Sequence, residues 1–235
     1  MLLRKLLSTS PVVARVAPFV IFVLLTSAQG MFGASSIYWL YLAKTLVGIW
    51  LIFEMWPLVT EMRWAFSWEA VVVGIVVFAV WIGISGEWTT QNSLWVNLGI
   101  SHASHPPGKS AVVWNPFNQF GPALAWFFVA VRILGSALVV PPLEEVFYRS
   151  FLYRYIASQN FLSVPLNVFL PVPFLGAAAI FGMAHNEWLA AILCGVAYQW
   201  LVLRKNRLGD AMTAHAITNF LLGLWVVWQH AWNFW

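Results

Sequence analysis

The stretch Pro141-Pro142-Leu143-Glu144-Glu145-Val146-Phe147-Tyr148-Arg149 sets two adjacent carboxylates and an arginine between long apolar segments. The chain has eight acidic residues in 235, so two side by side in such a setting call for a reason. An ionisable group at membrane depth is costly unless paired and is by default a functional-site candidate. The double proline predicts a helix break after residue 140 and a restart running to about residue 157, because proline suits a first turn whose N–H groups have no partner anyway. That restart puts Glu144 and Glu145 near the positive end of the helix dipole, which favours ionised carboxylates. Glu145 and Arg149, four residues apart, share a face and can neutralise each other. Glu144 lies about 100° further round the helix and has no local partner.

The surrounding composition decides the fold class. Hydrophobic residues make up 61% of the chain and charged residues 9%, against roughly 45–50% and about 25% in soluble domains. This is the make-up of a multi-pass integral membrane protein, an all-α transmembrane helical bundle. Its sixteen tryptophans agree, since indoles collect at the membrane–water interface. The length suits about seven or eight spans of about 20 residues each. The net charge of +4 encodes topology rather than nucleic-acid binding, because the basic residues form no stripe. Cys194 is the only cysteine, which excludes an intrachain disulfide and a cysteine-based metal site.

Expected spans fall at residues 16–25, 37–60, 69–84, 121–140, 141–157, 174–185, 188–203 and 210–228. Arg4, Lys5 and Arg15 precede the first, read as an uncleaved span with a cytoplasmic N-terminus. The turn at 204–207, with two arginines and a lysine, is expected in the cytoplasm too. Lys44 and Glu54, ten apart, are expected to pair between helices and to snorkel, and Glu61 with Arg63 marks a polar turn. Residues 86–118 are the longest polar interruption; His102 and His105 are spaced like a metal pair, but neighbouring prolines forbid the helix that would align them, and a solvated loop is expected. Trp225, Trp228, Trp232 and Trp235 at helical spacing read as an interfacial anchor. The organisation is an N-terminal set of helices with the polar loop, 1–118, and a C-terminal helical core, 119–235, forming one membrane unit. No internal repeat suggests a duplicated transporter.

Three polar sets fall on the C-terminal helices: Glu144, Glu145 and Arg149; Phe181 and His185 at i, i+4; and His215 and Asn219 at i, i+4. Together they supply a carboxylate base, two imidazoles and an amide donor, the parts needed to activate a water and hold an oxyanion. Other routes to peptide cleavage in a membrane lack their residues. Asp210 is the only aspartate, so an aspartyl pair is excluded, and neither His185 nor His215 opens a His-Glu-x-x-His zinc motif. A serine elbow at Ser136 rests on two residues only.

Glu-Glu-x-x-x-Arg, Phe-x-x-x-His and His-x-x-x-Asn, in this order on apolar helices, resemble the CAAX-processing and bacteriocin-processing intramembrane endopeptidases, type II CAAX prenyl proteases among them. The resemblance covers residues 120–230; residues 1–115 share only hydrophobicity with the family. It implies a helical bundle enclosing a polar cavity and the cleavage of a membrane-embedded or lipidated protein substrate. It also implies that Glu144 and His185 bind and activate the attacking water, that His215 and Asn219 stabilise the oxyanion, and that Glu145 with Arg149 holds the helix geometry. A metal-free glutamate mechanism is expected over zinc held by Glu144, His185 and His215. Ser150 stands where a glycine often follows the arginine, and is expected to affect local packing only. The implied location is a bacterial or archaeal plasma membrane. Two rival readings are a non-catalytic immunity or scaffold member of the same fold, and a transporter or channel lined by the same groups.

Overall fold

A computed structural model describes residues 2–29, 31–33, 35–86, 89–99 and 113–235. The paired histidines of the polar loop, His102 and His105, lie outside the described residues. Within them the chain is helical, and the only strand-like pairing is an isolated bridge between Thr90 and Glu187.

Short α1 (Leu2–Leu7) leads into α2 (Pro11–Ser27), α3 (Ser36–Met55), α4 (Trp68–Ile84) and α5 (Gln91–Asn97). The C-terminal core comprises α6 (Pro122–Leu134), α7 (Val140–Glu145), α8 (Tyr153–Ala157), α9 (Pro171–Met183), α10 (Trp188–Lys205) and α11 (Gly209–Gln229). Among the described residues three helices are long and apolar enough to cross a bilayer alone: α3, α11 and the rod Pro122–Ala157 that contains α6, α7 and α8. The helices α2, α4 and α9 are apolar but shorter.

The rod corrects the expected break at the double proline. The chain stays helical through Pro141 and Pro142, because a π-helical stretch, Gly135–Val139, precedes them and a second, Val146–Leu152, follows α7. Two of the eight expected spans are therefore one continuous helix. Glu144 and Glu145 lie mid-rod rather than at a helix N-terminus, so the dipole argument for their ionisation fails.

Close approaches set the packing. A Cβ on Gly74 of α4 would come within 2.7 Å of the Ala214 carbonyl of α11, so only glycine allows these helices to touch there. Gly182 at the end of α9 does the same against Ile192 and the Trp188 carbonyl of α10. Charges gather at one end of the bundle. Arg4 pairs with Glu54 at 2.8 Å, Lys205 with Glu69 at 2.6 Å, and Arg15 and Arg154 each with Glu61 at 2.8 Å. The opposite end is aromatic: Tyr38, Trp114, Phe128 and Trp235 pack together.

Two expectations about single residues change. The tryptophan stripe does not continue helically, because His230 adopts a left-handed conformation (φ 54°) that ends α11 and turns the chain. Trp232 is then buried and Trp235 packs on Trp114. Glu61, expected in a simple polar turn, sits in a buried network. Arg15 donates to it at 2.8 and 2.9 Å, Arg154 at 2.8 Å, and the Ser150 hydroxyl also donates to it. Lys44 is held between helices as expected, with its ammonium 3.1 Å from Thr26 Oγ1 and over the Phe22 and Tyr41 rings.

Candidate active site

Glu144, Phe181, His185, His215 and Asn219 line one cavity of about 200 Å³. Its wall runs from these residues toward Arg132, Phe234 and Trp235 at the aromatic end. Counted along the axis from the starts of α9 and α11, His185 lies about 21 Å in and His215 about 9 Å, at 1.5 Å per residue. Both nevertheless line the one cavity, and α11 begins inside the protein. Asp210, Ala211 and Met212 are fully buried, and Gly209 lies directly against the backbone of Arg63 and Ala65, with Thr213 donating to the Ala65 carbonyl at 2.7 Å.

Behind the cavity, Glu145 is fully buried and joins two elements. Its Oε1 is 2.9 Å from His215 Nδ1, and its Oε2 is 3.1 Å from Arg149 Nε, though off the line of a hydrogen bond. Arg149 is otherwise held by aromatic faces, Phe181 at 4.6 Å and Tyr148 at 5.5 Å. The expected pair is present, and the link to His215 adds a purpose to it. A carboxylate accepts only, so Nδ1 of His215 carries the hydrogen. The ring is then fixed by this bond and by Tyr198, stacked at 5.1 Å.

Glu144 is half-buried, and its Oε2 is buried with no hydrogen bond among the described residues. Its acceptor capacity is therefore left for a molecule in the cavity. His185 Nδ1 lies 2.7 Å from the Phe181 carbonyl, four residues back. A carbonyl cannot donate, so Nδ1 bears the hydrogen and the neutral ring keeps a basic Nε2. The turn that carries His185 is fastened to the segment after α4, where Thr89 Oγ1 donates to Glu187 at 2.8 Å.

The double proline explains how Asn219 is held. In the π stretch the Val140 N–H bonds to the Gly135 carbonyl, five residues back. In that register the next donor, for the Ser136 carbonyl, would be residue 141, and proline has no N–H. Asn219 Nδ2 fills the orphaned acceptor at 2.9 Å. That bond also assigns the amide: its NH₂ faces Ser136, leaving one N–H to offer elsewhere.

Several contributors have no sequence signal. Tyr198 donates to Thr218 Oγ1 at 2.8 Å and braces His215, yet lies on a helix without a motif. Ser136 acts through its backbone, which no side-chain pattern reveals. Arg132 and Cys194 also reach the wall, from apolar runs. For a metal, each histidine offers a free Nε2 with its other nitrogen held, which is the arrangement metal-ligating histidines use. Among the described residues no three His, Cys, Asp or Glu side chains are grouped as a ready metal-binding cluster.

Fold and cavity together define a multi-pass helical membrane protein with a peptidase-like set of polar groups in its interior. Residues 123–221 match the family model described as type II CAAX prenyl endopeptidase Rce1-like. The match contains all three motifs and ends two residues past Asn219; α1 to α5 lie outside it. No curated protein and no solved structure matches the chain.

Proposed function

We propose that the protein is an intramembrane endopeptidase that cuts a membrane-associated protein or peptide with a water activated by Glu144 and His185. The observation that carries this reading is the buried, unpartnered Glu144 oxygen on the same wall as His185, His215 and Asn219. Glu144 accepts the proton of the attacking water while the basic Nε2 of His185 orients it. The water oxygen bonds to the scissile carbonyl carbon, whose oxygen becomes an oxyanion. The free N–H of Asn219 donates to that oxygen, and His215, when both its nitrogens carry a hydrogen, donates to it from Nε2 while Nδ1 stays on Glu145. Glu144 then returns the proton to the leaving amine as the C–N bond breaks. Glu145 and Arg149 position His215 rather than touch substrate.

The basic end of the bundle suits the cytoplasm. That orientation puts the N-terminus inside and lets the cavity extend into the opposite half of the bilayer. The substrate class is a lipidated or membrane-embedded polypeptide, and the chemistry runs without a metal. The test is cleavage of fluorogenic lipidated peptides and of a membrane-protein extract by purified protein. Glu144→Gln and His185→Ala should abolish cleavage while the protein stays folded; full activity in Glu144→Gln would overturn the assignment. Inactivation by chelator, reversed by zinc, would overturn the metal-free course. Ion flux across vesicles without any cleavage would favour a channel.

A further inference from the structure

Among the described residues, Arg132 of α6 is the only lysine or arginine on the cavity wall. Among the described residues it has no carboxylate partner and no hydrogen bond from its guanidinium. Aromatic faces hold it instead: Tyr41 and Trp114 at 4.7 Å and Trp235 at 5.4 Å. Tyr41 also carries Lys44 at 4.5 Å, so one ring serves two cations. On the described cavity wall Arg132 is thus a half-buried positive charge with no carboxylate partner. Such a charge is costly when unpaired, and a caged arginine remains able to receive an anion bidentately.

The rod aims this group at the catalytic wall. Arg132, Ser136, Val140 and Glu144 all line the cavity at steps of four. In a regular α-helix each such step drifts by about 40°, or about 120° over three. The π stretch Gly135–Val139, with its longer hydrogen-bonded turn, takes up that drift. The two ends are about 18 Å apart along the axis at 1.5 Å per residue. An extended peptide covers that in about five residues at roughly 3.3–3.6 Å each, and in fewer when both side chains reach toward it. A CAAX chain end carries its carboxylate three residues past the cysteine.

We propose that Arg132 is an anion subsite that receives the free C-terminal carboxylate of the substrate, a few residues beyond the bond that is cut. The proposal rests on the peptidase reading, and binding separates the two. Three matched peptides are titrated against the Glu144→Gln protein: one with a free C-terminus, its amide, and an amide ending in aspartate. The free acid should bind about 10- to 100-fold more tightly than the amide, as a charge-assisted hydrogen bond allows. Adding Arg132→Gln should collapse the ratio to about one, while Arg132→Lys keeps part of it. Equal binding of acid and amide, or a preference that survives Arg132→Gln, overturns the subsite. If Arg132→Gln does not fold, an undiminished ratio in Arg132→Lys does the same. Aspartate-amide binding as tight as the free acid overturns the chain-end assignment. Arg132-dependent binding without cleavage by the unsubstituted protein overturns the peptidase reading alone, and cleavage without acid preference overturns the subsite alone.

Discussion

Glu61 and Glu144 are both half-buried carboxylates, one packed against the helical rod and one on it, and they are treated in opposite ways. Glu61 accepts from Arg15, Arg154 and Ser150 until its oxygens are saturated. Burial would raise its pKa, but Arg15 and the Ser150 hydroxyl outweigh that and hold it at about 2. Glu144 keeps a buried oxygen with no partner among the described residues. A saturated carboxylate has nothing left to give to a substrate and spends its interactions on the fold. An unsaturated one costs stability, a cost that the proposed role of Glu144 as a base would explain.

The sharpest break of this comparison is Glu144→Gln. Loss of a general base should lower cleavage by about 10²- to 10⁴-fold and leave the melting temperature unchanged or raised, measured by peptide assay and thermal shift on one preparation. Glu61→Gln should do the reverse. It leaves two buried arginines short of a partner and should cost about 3–5 kcal/mol, read by denaturation, with cleavage per folded molecule retained.

The same site gives a pH signature. Because the folded-state pKa of Glu61 lies below the ordinary 4.5, its stabilisation is present above that value and drains away as pH falls toward about 2. Thermal shifts recorded from pH 6 downward should show this loss, and the loss should be absent in Glu61→Gln.

Smaller effects test the connections. Pro141→Ala restores an N–H that can compete for the Ser136 carbonyl and release Asn219. Misplacing that amide should lower kcat by up to about 100-fold with KM little changed, and an unchanged kcat would detach Asn219 from the proline pair. Ser150→Ala removes a donor to Glu61 and should cost about 1 kcal/mol without a change in cleavage.

Most of this was legible in part. The spacing of Glu145 and Arg149 showed a pair and left Glu144 over, and both features are present. Ser150, read as a packing position, instead bonds to Glu61, because the partner comes from a loop 89 residues away. The restart predicted at Pro141 did not occur, since a π register can carry a helix past a proline that an α register cannot. Arg132 stood in an apolar run, with nothing nearby to say that three aromatic rings would gather around it.

The sequence by itself determined the medium and the parts: a membrane-spanning helical chain, because charge is too sparse for water, and three polar sets at helical spacing, because i, i+4 is a local relation. What only the tertiary structure decided is which of these groups face one another. Glu145 reaches His215 across 70 residues, Asn219 meets the carbonyl orphaned by Pro141, and Arg132 joins the Glu144 wall. Those relations depend on helix depth, rotation and register, and these are set by packing at contacts such as Gly74 and Gly182 and by π turns, to which a one-dimensional pattern is blind.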